Sequence, residues 1–219
     1  MSLPFRAVIF DMDGLMLDTE TIACLAWKRS TEDLGYKLSD EHFASLIGRT
    51  SADSDALMQR LFGPTFSLPD LRARITHHWN AHVEVHGIAR KTGLMELLDY
   101  LDTQPIRKAV ATSTRRAYAI PHLGDLYPRF DALATGDEVQ NGKPAPDIFL
   151  LAASRLGVEP ADCLVLEDSL PGVKGATSAG MHVIMVPDLV APTPEITHHL
   201  PSLHAVHDWL KARANNGPV

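Results

Sequence analysis

The sequence predicts an α/β protein: a doubly wound parallel sheet with an all-helical insert after its first strand. Three observations carry that expectation. Short apolar runs of four or five residues alternate with helical patterns. Most of these runs end in acidic or hydroxyl residues. One long stretch, from about Asp18 to about Gly87, holds no convincing strand and is too long for a loop in a compact domain.

The first apolar run is 6–10 (RAVIF), and the helical patterns of the insert follow it at 21–34, 40–47, 54–62 and 71–85. Gly48 and Gly63-Pro64 punctuate them. Leu94, Leu97, Leu98 and Leu101 then repeat at helical spacing. Further strand-like runs are 108–111 (KAVA), 130–134 (FDALA), 163–166 (CLVL) and 182–186 (HVIMV). Each is too short for a free-standing helix and right for a buried parallel strand. A helix is expected over 144–156, opening with prolines and stopping at Gly157, and another over 170–179, stopping at Gly180. A last helix is expected over 203–211. The expected division is a core of 1–17 with 88–219 and a cap of 18–87, which could act as a lid.

Composition narrows the function. Hydrophobic residues make up 45% of the 219, enough for a core, and the formal net charge is -7. The sequence pI of about 5.8 argues against a nucleic-acid partner. An anionic substrate would need local positive charge, and a divalent cation is the natural source. Cys24 and Cys163 form no C-x-x-C and both read as small buried residues. No run approaches the ~20 apolar residues of a membrane span, and the first residues lack a signal-peptide layout. A soluble, cytoplasmic chain, monomeric and without a membrane partner, is expected.

Parallel sheets bind ligands beyond the carboxyl ends of their strands, and candidate groups gather at those ends. Asp11-Met12-Asp13-Gly14 follows the first run directly. Two carboxylates so close repel and call for a cation or a shared proton; magnesium would satisfy both and still bind phosphate. Gly14 allows a tight turn. Taken alone, the same residues fit a turn with an N-cap, a fragment of an EF-hand loop, or a receiver domain. Thr112 and Ser113 can hold phosphate oxygens or cap a helix. Lys143 can neutralise a phosphate or a carboxylate, or be a solvated surface lysine. Its surroundings miss a P-loop, because Pro144 stands where Ser or Thr is required. Glu167-Asp168 suit a metal site, or an N-cap acid pair. The eleven histidines form no zinc-ligand spacing, so His77-His78 and His198-His199 read as surface or helix residues.

The order acid–acid, hydroxyl, lysine, acid pair resembles the haloacid dehalogenase superfamily. Its four motifs stand here as DMDG (11–14), ATST (111–114), GKPAPD (142–147) and LEDS (166–169), with GVKGATSAGM (172–181) also similar. The insert is similar to the helical cap of phosphoglucomutase-like and phosphoglycolate-phosphatase-like members. The resemblance implies a Rossmann-like core and a Mg2+-dependent phosphatase acting on a small phosphorylated metabolite. It implies Asp11 as nucleophile and Asp13 as general acid and base. Thr112, Ser113 and Lys143 would bind the phosphoryl group. Asp11, Asp168 and the Asp13 backbone carbonyl would hold the metal, with Glu167 and Gly14 in support. Glu20, Trp27 and Arg49 are candidates for selectivity. The histidine that β-phosphoglucomutases carry in the first cap helix aligns with Ala23, and their cap arginine falls near Ser51, with Arg49 close by. Lack of the histidine favours water as acceptor over a sugar hydroxyl. A sugar-phosphate mutase and a non-catalytic binding module on the same fold are the alternatives.

Overall fold

The structure is a computed structural model that describes residues 3–47 and 51–216. Five strands, β1 (Ala7–Phe10), β2 (Arg107–Thr112), β3 (Ala132–Thr135), β4 (Cys163–Glu167) and β5 (His182–Met185), form one sheet in the order β3-β2-β1-β4-β5. Every pairing is parallel. The helices are α1 (Thr19–Asp33), α2 (Asp40–Ala44), α3 (Ser51–Phe62), α4 (Leu68–His86), α5 (Leu94–Asp102), α6 (Arg116–Leu123), α7 (Asp147–Leu156), α8 (Leu170–Ser178) and α9 (Leu203–Asn216). The chain divides into two compact units, Met1–Leu17 with Arg90–Val219, and Asp18–Ala89.

In the α/β unit, β1 is central and fully buried. The chain moves outward from β1 through β2 to β3, then crosses back to β4 and on to β5. That reversal makes the carboxyl ends of β1 and β4 the topological switch point, where such sheets open a crevice. Phe10 is level with Val110 on β2 and Leu166 on β4. The residues that follow, Asp11 and Glu167, therefore leave adjacent strands at one height. Small residues on β2, Ala109 and Ala111, let α7 lie close on this face, with Ile148, Phe149 and Leu156 packed among Ile9 and Val165. The leucine repeat of α5 is buried at all four expected positions.

Two boundaries of the α/β unit differ from the sequence expectation for a local reason. Pro144 and Pro146 lie ahead of α7, which begins at Asp147. A residue before proline is steered out of the helical region, so Pro146 holds Ala145 in a turn. Strand β3 starts at Ala132 because a 3-10 turn occupies Gly124–Arg129, and the Asp131 carboxylate accepts from the Lys108 N–H at 2.8 Å. Cys163 is buried as expected, but Cys24 is only partly so. Burial, then Asp162, pushes the Cys163 thiol up to about 11, so it is inert packing.

Among the described residues the second unit is built of helices. Leu38, Phe43, Leu46, Met58, Phe66 and Leu71 form its core. Tyr36, Phe62 and Phe66 meet pairwise at 4.9 to 5.0 Å between ring centroids. Helix α4 starts earlier than expected because Ser67 caps it and a proline fills its first turn. No helix among the described residues is long and apolar enough to cross a membrane.

The loop after β3 is held by charge. The Arg155 guanidinium grips Glu138 as a fork, at 2.9 and 3.0 Å, and also donates to the Leu133 carbonyl. Thr135 closes a capping box with the same glutamate. Arg155, followed by Thr135, holds the Glu138 carboxyl down at about 2. A carboxyl depressed in the folded state stabilises above its unfolded pKa of ~4.3 and loses that contribution as pH falls through the folded value. Glu138→Gln should therefore cost about 1–2 kcal/mol at neutral pH, allowing for partial solvent screening. The difference from the unsubstituted protein should shrink from about pH 4 downward. Urea unfolding of both proteins across pH checks this; a difference that stays constant with pH removes the ion pair as its cause.

Candidate active site

The site is assembled at the carboxyl ends of β1, β2 and β4. Lys143 is its centre. The ammonium donates to Asp11 Oδ1, to Glu167 Oε1 at 2.6 Å and to the Ala111 carbonyl at 3.3 Å. It lies 5.1 Å from the centroid of the Phe149 ring. Its side chain is only 7% exposed, so it is not a solvated surface lysine. Burial alone would pull its ammonium down; Asp11 and Glu167 together outweigh it and hold it above the ordinary lysine range.

Glu167 is fully buried, and both its oxygens are engaged. Oε1 takes Lys143, and Oε2 accepts from the Ser169 N–H and hydroxyl at 2.8 Å each. Ser169 also caps α8 through the Gly172 N–H. A Cβ on Gly172 would lie 1.8 Å from Glu167 Oε1, so this glycine makes room for the carboxylate.

Asp11, Glu167 and Asp168 offer carboxylate oxygens within 4.8 Å of one another. Glu167 already accepts three hydrogen bonds, so Asp11 and Asp168 are the better placed of the three carboxylates to hold a cation. The donor set is hard oxygen, which suits magnesium or calcium rather than a softer metal. The charge balance also fits a cation. Burial pushes the Asp11 carboxyl up to about 8, and Glu167 and Asp13 add to this against the pull of Lys143. One lysine does not balance this many acids, and a divalent cation would supply the missing positive charge.

Asp13 is partly buried beside Gly14, whose φ of 82 is the left-handed turn expected there. Two hydroxyls reach one Asp13 oxygen, Oδ2: Thr112 at 3.1 Å and Thr114 at 2.7 Å. The Thr112 hydroxyl accepts in turn from the Thr114 N–H at 3.0 Å. Thr112 is thus brought to the site, in contact with the acid. The Ser113 side chain points outward and is exposed. Sequence reasoning missed Thr114. The signal was a threonine two residues past the strand end: the Thr112 hydroxyl accepts from the Thr114 N–H, and the bend at 113–114 turns both hydroxyls to Asp13. It also missed His122 in α6, where burial pulls the imidazole down and Asp13 pushes it back up.

Of the expected cap residues, Glu20 and Trp27 line a cavity of about 520 Å³ inside the helical unit, together with Ala23. Phe43, Leu46, Leu71 and Ile75 make the lining largely apolar, and Asp55 and Arg72, also in the lining, pair with each other. Arg49 lies outside the described residues, as does the side chain of Ser51. His77 is exposed and His78 bonds Asp33 at 2.8 Å, and neither is part of the acidic cluster.

Fold and site together define a hydrolase whose acids converge on one buried lysine at the switch point of a parallel sheet. The chain belongs to the haloacid dehalogenase-like hydrolases, whose family model matches residues 8–186. It is 34% identical over 181 residues to the phosphorylated carbohydrates phosphatase of Thermotoga maritima, covering 82% of this chain and 83% of that protein. It is 31% identical over 188 residues to the beta-phosphoglucomutase of Bacillus subtilis, covering 83% of each. The crystal structure of CbbY from Rhodobacter sphaeroides in complex with phosphate superposes with a TM-score of 0.75 at 26% identity, covering 92% of this chain and 96% of that one. The protein is a phosphoric monoester hydrolase of this family.

The packing of Glu167 yields a test. Gly172→Ala drives a methyl group into the Glu167 carboxylate and should displace Lys143 with it. Turnover of an aryl phosphate should fall at least tenfold, equivalent to ~1.4 kcal/mol of transition-state stabilisation. Gly142→Ala, beside Lys143 but with nothing within 4 Å of the new Cβ, should lose far less. Equal effects of the two substitutions on steady-state rates would remove Glu167 from the argument.

Proposed function

We propose that this protein is a magnesium-dependent phosphatase for a small phosphorylated metabolite, such as a sugar phosphate or nucleotide, working through a phosphoryl group carried on Asp11. The observation that carries the reading is the contrast between Asp11 and Asp13. Asp11 is buried with Lys143 on one oxygen, whereas Asp13 has both threonine hydroxyls on Oδ2.

A nucleophile must be ionised and fixed, and Lys143 favours the ionised form while pinning one oxygen of Asp11. The other oxygen attacks phosphorus; the bond to the leaving oxygen breaks, and Asp13 gives that oxygen a proton. In the second half, Asp13 takes a proton from water as the water oxygen bonds to phosphorus and the bond to Asp11 breaks. Splitting one displacement into two lowers each barrier, and one carboxyl can serve both halves because the first leaves it ionised. With Thr112 and Thr114 on Oδ2, the Oδ1 atom is the one to carry the proton. Lys143 and the Ser113 N–H would receive the phosphoryl oxygens, and Thr112 would join them by turning its one hydroxyl proton from Asp13 to the phosphate. Magnesium held by Asp11, Asp168 and the Asp13 carbonyl would screen the negative charge of substrate and site.

The mutase reading has one support, the relationship to the beta-phosphoglucomutase of Bacillus subtilis. Ala23 tells against it, since alanine offers neither acid nor base where the resemblance expects histidine. Glu20 and Trp27 of the cap cavity are the proposed selectivity residues. Naming phosphorylated carbohydrates as first candidates follows the Thermotoga maritima relative.

A panel of phosphomonoesters assayed for released phosphate, with and without magnesium, tests this. Asp11→Asn should abolish turnover, Lys143→Ala should lower it by about 10²-fold or more, and EDTA should silence the native protein until magnesium is restored. Substantial phosphate release by Asp11→Asn would sink the mechanism. Transfer to a second sugar hydroxyl in place of release would favour the mutase.

A further inference from the structure

The chain leaves the α/β unit after Leu17 and re-enters at Arg90, and these two residues pair as an antiparallel bridge. The Lys91 N–H donates to the Met16 carbonyl at 2.9 Å. The loop that holds Asp13 is closed on itself: the Met16 and Leu17 N–H groups both donate to the Met12 carbonyl at 3.0 Å, and the Gly14 N–H to the Leu17 carbonyl at 2.9 Å. The return segment is therefore a main-chain anchor for that loop.

The Lys91 ammonium reaches across to Asp188, just past β5, and donates to Oδ1 at 2.6 Å. The pair is largely buried, with side chains 26% and 14% exposed. The second oxygen, Asp188 Oδ2, is buried with no hydrogen-bond partner. A buried carboxylate oxygen left unsatisfied is costly, and replacing a buried ion pair by apolar side chains is often neutral or stabilising. Folding stability alone thus gives little reason for a lysine and an aspartate here. What the pair supplies is position. It ties the return segment to the carboxyl end of β5, on the same sheet whose β4 carries Glu167.

We propose that Lys91 and Asp188 form a positioning pair, which fixes the residue 12–17 loop through the return segment and so holds Asp13 in register with Asp11. This rests on the reading of Asp13 as the acid and base. Neither residue touches the reacting atoms in this proposal, and both act through the main chain. Because a general acid contributes in the transition state, loss of register should lower kcat and leave KM nearly unchanged.

The test combines Lys91→Met with Asp188→Leu in the full chain. The expected result is a melting temperature within a few degrees of the native protein, faster amide exchange at Leu17 and Lys91, and a kcat lowered about tenfold. Lys91→Arg, whose fork can also reach the second oxygen of Asp188, should keep both the exchange protection and kcat. Should the double variant fail to fold, Asp188→Asn takes its place with the same two readouts. Unchanged exchange and unchanged kcat overturn the proposal. So does a kcat loss that merely follows a fall in melting temperature. Amide exchange is independent of the chemistry, which separates this failure from that of the catalytic reading. If Asp13→Asn keeps full turnover, the acid–base role is wrong whatever the exchange at Leu17 shows.

Discussion

One buried cation organises this protein. Lys143 sits almost wholly out of water between the carboxylates of Asp11 and Glu167. Desolvating a charge is expensive unless it is paired and hydrogen-bonded, so both partners must be where they are. The parallel sheet supplies that by topology. Strands β1 and β4 are neighbours only because the chain crosses back at the switch point, and their shared register delivers both acids at one height. The lysine then arrives on a loop from the other half of the sheet. A defect in strand order, in register or in that loop would leave a buried charge without its partner, so the chemistry and the fold share one constraint.

The remaining contacts keep that pairing from drifting. Ser169 fastens the second oxygen of Glu167 and caps α8 with the same side chain. On the opposite side, the threonines at the end of β2 and just past it hold Asp13, and the loop that follows abuts the one that follows β3. A Cβ on Gly136 would lie 2.2 Å from the Ser113 carbonyl, and the Gly136 N–H donates to the Thr114 carbonyl at 3.3 Å. Arg155 and Glu138 brace that second loop against α7. The hydroxyl loop and the lysine loop are thereby indexed to each other through close backbone approach, where one methyl group would separate them.

Much of this was legible in the sequence, for a definite physical reason. A buried parallel strand is a short apolar run, and its end is marked where polarity returns; Asp11, Thr112 and Glu167 were found that way. Strand and helix patterns survive because each depends on neighbours in sequence. Contacts across the fold have no such trace. Lys91 and Asp188 are 97 residues apart, and the clearance that Gly172 gives Glu167 is visible only once a helix turn brings them together. Proline misled in the other direction. Pro144 and Pro146 fit a helix start by composition, but the restriction on the residue before Pro146 moved that start to Asp147. Thr114 lay within a motif that was read, and was missed because hydroxyls were assigned to phosphate and not to the neighbouring acid.

Charge explains why the helical unit can be so different in character. The α/β centre gathers acids and has one lysine to set against them, and the chain as a whole is acidic, so attraction for a phosphate cannot come from the general field of the protein. It must be local, short-ranged and blind to the rest of the substrate. Discrimination among phosphate esters then has to come from contacts with the part that is not phosphate. Glu20 and Trp27, which line the cavity of the helical unit with Ala23 and the apolar Phe43, Leu46, Leu71 and Ile75, are the residues proposed for that role. An alanine at position 23 adds no titratable group there. In the proposed function the proton transfers rest on Asp13, which Thr112 and Thr114 hold by one oxygen, and water is the proposed acceptor in the second half-reaction.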